Sequence, residues 1–168
     1  MGSLKSGQRQ LKQVVAATLL GLSLTLTTSL STPPVQAEEN TGQKIAMLKQ
    51  SRDRWIEVNV ATQRLIAWEG KVPVYAIVIS TGTDEHPTVT GNFEIQSKHR
   101  TARMQGEDYD VPDVPYTMYY YGGYAIHGAY WHRRFGTPVS HGCVNVAVNH
   151  AQWLFDWAAV GTPVVVHF

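Results

Sequence analysis

From Trp55 onward, Ile56, Val58 and Val60 alternate with Glu57 and Asn59, the period-two pattern of a strand with one buried face. Ala61-Thr62-Gln63 interrupts the pattern, Arg64 to Trp68 resumes it, and Glu69-Gly70 interrupts it again, which predicts a meander. Residues 72–79 are apolar at nearly every position. Such a run predicts a strand covered on both faces, and therefore a second layer over the sheet. Pro73 has no N–H for the ladder, so it belongs at the start of that strand or on an edge. A short strand follows in which Phe93 and Ile95 point one way and Glu94 and Gln96 the other.

Residues 97–115 turn polar and irregular, with charges of both signs, and predict a long loop of the kind that serves as a lid or binding segment. Tyr116 to Tyr121 is rich in tyrosine, whose rings can bury while their hydroxyls stay satisfied. Alternate members, Tyr119 among them, are candidates to line a substrate groove. Gly122-Gly123 and a strand ending at His127-Gly128 come next. Ala151, Leu154, Phe155 and Ala158 recur at helical spacing between about Ala147 and Ala159, with Trp153 and Trp157 expected to fill core. Gly161 and Pro163 end that helix, and Val164 to Phe168 is a closing strand. Many short strands and one main helix predict a mainly β, two-layered, sandwich-like domain.

At the other end, Lys5, Arg9 and Lys12 precede an apolar stretch from Val14 to about Leu30, and Val35-Gln36-Ala37 offers small residues for cleavage. Residues 1–37 thus read as a secretory signal. A retained anchor is the alternative, although Thr18, Ser23, Thr25, Thr27, Thr28 and Ser29 break the run that a membrane span needs. Residues 38–53 are polar, contain Asn40, Thr41 and Gly42, and read as a linker. The remainder, 54–168, is one domain's worth of chain. Losing residues 1–37 removes three positive charges and no negative ones, so the formal charge goes from +1 to −2. Nothing in that balance suggests a nucleic-acid partner.

The chain holds a single cysteine, within Ser140-His141-Gly142-Cys143-Val144-Asn145. One cysteine cannot close an intramolecular disulfide, and these polar, glycine-containing neighbours favour a free nucleophile over an inert core thiol. A thiol needs a base to become a thiolate near neutral pH, and His127, His132 and His141 are the nearby imidazoles.

His127-Gly128 followed sixteen residues after the histidine by Cys143, in Ser140-His141-Gly142-Cys143-Val144-Asn145, resembles the signature of the L,D-transpeptidase catalytic domain, the YkuD-type fold. Ile79-Ser80-Thr81-Gly82, Pro87 to Phe93 and Gly161 to Val166 resemble other segments of such domains. The resemblance implies a bacterial enzyme, exported to the periplasm or cell wall, that acts on peptidoglycan stem peptides. Cys143 would form a thioester and His127 would act as base, held by the carbonyl of Gly128. The main-chain amides of His141, Gly142 and Cys143 would form an oxyanion hole, with Ser140 fixing the loop and His141 forming a polar wall. Asn145 would orient substrate or the turn, and Arg133 or Arg134 would bind stem carboxylates. Carbapenem β-lactams would acylate Cys143. No cofactor or metal is expected.

The acceptor stays open among a second stem amine, an envelope-protein lysine and water. Two other classes remain beside the enzyme. A zinc hydrolase would use His127, His132, His141 and Cys143, which lack an acidic partner and a helical ligand spacing. A passive wall-binding domain would not need the Cys-His pair.

Overall fold

The computed structural model describes residues 35–168, with side chains from residue 40; of the expected signal over 1–37, only the last three positions fall within that range. In chain order the elements are α1 (Val35–Gln50), β1 (Arg54–Asn59), β2 (Arg64–Glu69), β3 (Val72–Val78), β4 (Gly91–Glu94), β5 (Ser97–Gln105), β6 (Asp110–Tyr121), β7 (Tyr124–Gly128), β8 (Val144–Val146), α2 (Val148–Trp157) and β9 (Pro163–His167). They form a five-stranded sheet in the order β3-β2-β1-β9-β4 and a four-stranded sheet in the order β5-β6-β7-β8. The fold is mainly β and two-layered.

The period-two pattern explains the shared core. Ile56 and Val58 of β1, Leu65 and Ala67 of β2, and Val164 and Val166 of β9 face Met118 and Tyr120 of β6, Ile126 of β7, and Val144 and Val146 of β8. Ala151, Leu154 and Phe155 of α2 join the same core. Burial of such aliphatic side chains contributes about 1.5–3 kcal/mol each, so register is fixed where the alternation is clean. The opposite face of the four-stranded sheet carries a smaller cluster, Met104, Val114 and Ala125, with Tyr109, Val111, Tyr119 and Cys143 against it.

Three expectations are corrected. Residues 38–53 are not a bare linker, because α1 runs to Gln50 and docks Leu48 against Trp55 and Val165, with Ile45 and Trp68 beside them. A polar helix gains its stability from such docking rather than from its own pattern. The run 72–79 is not covered on both faces. β3 is an edge strand, with Val72 54% and Val78 43% exposed, and Pro73 sits beside a register shift at Ala67/Trp68, where its missing N–H is harmless. The doubly covered strand is β9, with Val164 and Val166 in the core and Val165 under α1.

Residues 97–115 are not an irregular loop either. Most of them build the β5–β6 hairpin, paired from Ser97↔Tyr119 to Gln105↔Asp110. Its buried side chains are few, Met104 and Val114 chief among them, and a register shift between Ala102 and Met104 breaks their alternation. Arg103 and Asp110 form a two-point ion pair across it. Among the described residues no helix is long and apolar enough to cross a membrane.

Candidate active site

The parallel pairing of β7 with β8 brings the sequence motifs together. Ile126 is level with Val144 and His127 with Asn145, so Cys143, one residue ahead of β8, shares a sheet face with Ala125 and His127. The thiol of Cys143 donates weakly toward the carbonyl oxygen of Gly123 at 3.7 Å. Burial pushes that thiol above its ordinary value, and a hydrogen bond from the main chain of Ala125 pulls against the shift.

His127 is 2% exposed. Its Nδ1 lies 3.1 Å from the carbonyl oxygen of Gly128, which can only accept, so Nδ1 carries the proton and Nε2 the lone pair. Burial lowers its pKa to about 4, opposed by the Gly128 carbonyl and reinforced by His132. The ring of Trp131 stacks on it with centroids 5.7 Å apart. The imidazole is therefore neutral at pH 7, oriented and shielded.

The loop that carries Cys143 is tied at several points. Ser140 Oγ donates to the carbonyl of Cys143 at 2.5 Å and accepts from the amide of Gly142 at 3.1 Å. Thr88 Oγ1 accepts from the amide of Gly82 at 2.8 Å and donates to the carbonyl of Gly142 at 2.8 Å. Gly142 has φ +108, and a Cβ there would lie 2.7 Å from Cε1 of Tyr124. Only glycine fits this turn.

The tip of the β5–β6 hairpin reaches the same loop. Asp108 Oδ2 accepts from His141 Nε2 at 3.1 Å, and that bond holds the Asp108 carboxyl below its ordinary value. The rings of Tyr109 and His86 lie 4.8 and 4.6 Å from that of His141. His86, Glu107, Asp108, Tyr109 and His141 line an open cleft of about 470 Å³. Burial, and then the neighbouring Cys143, raise the pKa of both Tyr109 and Tyr119.

Cys143, His127, Gly128, Ser140, His141, Gly142 and Tyr119 thus gather around one face of β7 and β8. Asn145, level with His127, lies on that face too, but its side chain is spoken for. It is 3% exposed, and its side-chain amide is 2.9 Å from Nε2 of His132. Nδ1 of His132 accepts from the amide of Arg134 at 3.2 Å, so its Nε2 carries the proton and the Asn145 oxygen belongs there. Arg133 and Arg134 are exposed on the connection between β7 and β8. The amide of Gly142, expected in an oxyanion hole, already serves Ser140. Sequence reasoning missed Thr88, Tyr109 and Tyr124 as supports of this loop. The stretch Pro87 to Phe93 was the only signal for any of them. Among the described residues, no three His, Cys, Asp or Glu side chains gather to hold a metal ion.

Comparison with known proteins adds four findings. The family model of the L,D-transpeptidase catalytic domain matches residues 53–166. L,D-transpeptidase 1 of Mycobacterium tuberculosis is 32% identical over 99 residues, 52% of this chain and 39% of that protein. A cysteine-to-serine mutant of an Enterococcus faecium L,D-transpeptidase has a TM-score of 0.65 and 28% identity, covering 69% of this chain and 50% of that one. An L,D-transpeptidase in complex with imipenem has a TM-score of 0.64 and 25% identity, covering 67% and 58%. The chain spans about two fifths to three fifths of the length of these relatives.

Proposed function

Because the chain belongs to the L,D-transpeptidase catalytic-domain family, we propose that Cys143 is the nucleophile of an exported enzyme that rebuilds peptidoglycan stem peptides into 3→3 cross-links. The carrying observation is the shared face of β7 and β8, which sets the Cys143 thiol beside a strand whose neutral imidazole is oriented by Gly128.

In the first half-reaction the Cys143 side chain turns from Gly123 toward His127. Nε2 of His127 takes the thiol proton as Sγ bonds to the carbonyl carbon of the L,D-peptide bond. The C–N bond then breaks, the proton passes to the leaving amine, and a terminal D-amino acid departs from a thioester. In the second, the amine of another stem attacks the thioester carbonyl. Its proton goes to His127, and the Cys143 thiolate leaves and is reprotonated.

The main-chain amides of His141 and Cys143 serve the oxyanion in this scheme, since that of Gly142 is engaged by Ser140. One such donor lowers the barrier by about 2.7–4 kcal/mol. Tyr119 and His141 form walls of the site, Arg133 or Arg134 takes a stem carboxylate, and Asn145 acts through His132 rather than on substrate. The imipenem complex of a family member supports β-lactams of the carbapenem type as acylating inhibitors here. Residues 1–37 serve as the export signal.

The test is intact-mass measurement after incubation with a carbapenem, beside product analysis on muropeptide tetrapeptides. Wild type gains one adduct, Cys143→Ala gains none, and the products are 3→3 dimers. An unmodified wild-type protein would overturn the nucleophile, and tripeptides alone would make the protein an L,D-carboxypeptidase. Transfer to a lysine of an envelope protein would make it an anchoring enzyme.

A further inference from the structure

Gln63 lies in the turn between β1 and β2, far in sequence from the motifs of the site, yet it is 4% exposed and has φ +54. Left-handed backbone is strained for a residue with a side chain, and glycine would occupy the position without that cost. The turn does not need glutamine to close, because Asn59 Oδ1 already accepts from the amide and hydroxyl of Thr62 at 2.7 Å each.

What glutamine adds is reach. Its Nε2 donates to the Val60 carbonyl at 2.7 Å and to Thr81 Oγ1 at 2.6 Å, while its Oε1 accepts from the Thr81 amide at 2.9 Å. Both N–H donors of the side chain, and one lone pair of its oxygen, are thereby spent on Val60 and Thr81. The Thr81 carbonyl in turn accepts from the amides of Val139 and Ser140 at 2.9 and 3.1 Å. Ser140 then holds the amide of Gly142 and the carbonyl of Cys143.

We propose that Gln63 is a positioning residue for the nucleophile loop: it fixes Thr81, Thr81 fixes Ser140, and Ser140 sets the main chain of Gly142 and Cys143. The inference rests on the reading of Cys143 as nucleophile. Gln63 touches no substrate. It makes the five-stranded sheet a rigid reference for the amides that face the developing oxyanion.

Gln63→Gly tests it, since glycine keeps the turn's backbone while deleting the tether. Thr81→Val removes the hydroxyl contact from the other side and serves should the glycine variant fold poorly. In either variant, amide hydrogen exchange over residues 139–143 speeds up selectively, while β1 and β2 keep their protection. Carbapenem acylation slows by about 10- to 100-fold, the scale of a displacement of about 1 Å at a reacting group. Alkylation of Cys143 by iodoacetamide, which needs a thiolate but no oxyanion donors, changes far less. The double variant is no slower than the worse single one.

A merely structural Gln63 would lower the melting temperature and loosen all amides alike, leaving acylation below the melt unchanged; that result overturns the inference. Unaltered exchange at 139–143 overturns it as well, whatever the activity. A wild-type protein that takes no carbapenem instead overturns Cys143 as nucleophile, and the exchange measurement separates the two failures.

Discussion

The thiol of Cys143 points to the carbonyl oxygen of Gly123, 3.7 Å away, and Gly123 belongs to the turn that feeds the strand of His127. A carbonyl can accept only from the protonated thiol, and burial favours that neutral form. Cys143 therefore rests as a thiol. Iodoacetamide alkylation rates plotted against pH should inflect above the ordinary thiol value of 9.0. An inflection near neutrality would mean a thiolate already paired with an imidazolium, contrary to this geometry.

His127 makes stability depend on pH in a definite direction. The unfolded chain binds its proton below about 6.5, whereas the folded protein binds it only below about 4. Between those values acid favours unfolding, so stability falls as pH drops through that window and recovers above it. The shift of roughly 2.5 units corresponds to about 3 kcal/mol at about 1.36 kcal/mol per unit. Denaturant titrations at pH 7, 5.5 and 4 should show this loss, and His127→Gln should flatten it. Asp108 and Asp110, whose carboxyls are held below the ordinary 3.8, act only at still lower pH.

Gly142→Ala should disable acylation and weaken the fold together. The positive φ costs about 1–3 kcal/mol for a residue with a Cβ, and that atom would meet the ring of Tyr124 at 2.7 Å. Trimming the ring in Gly142→Ala/Tyr124→Leu should recover part of the melting temperature. If stability is unrecovered by the second change, backbone strain alone is the cause.

Thr88→Val keeps shape but removes the one hydroxyl that serves both the amide of Gly82 and the carbonyl of Gly142. Each buried group left without a partner costs about 1–3 kcal/mol. Chemical denaturation should register that loss, and Thr88→Ser should restore most of it. A valine variant as stable as wild type would show that water replaces the hydroxyl.

Asp108→Asn should leave the melting temperature essentially unchanged, because the carboxylate is exposed and its bond to His141 is screened by solvent. Amide exchange at 106–109 should rise instead, reporting a looser hairpin tip over the cleft. Unchanged exchange would mean that Tyr109, packed on His141 and Cys143, holds the tip without it.

What the chain disclosed by inspection follows the physics of burial. β1 and β2 were legible because one face of each is core and the other is not. β3 and β9 are equally apolar in sequence, and nothing local says which becomes the edge. That depends on β9 inserting beside β1, a long-range pairing of Ile56 with Val164. The hairpin of β5 and β6 hid because its buried positions between 97 and 115 are sparse and a register shift at Ala102/Met104 breaks their spacing. The Cys-His motif was legible as a family resemblance, whereas Thr88, Tyr109 and Gln63 act through contacts that only the folded topology creates.

The late arrival of β9 has a consequence for how the molecule comes into being. Its Val164 seats against Ile56 on one flank and Phe93 on the other, so the larger sheet cannot be sealed while Pro163–His167 is still being made. A ribosome delivers four of its strands first and the keystone afterwards. Until that moment the polymer keeps an open seam.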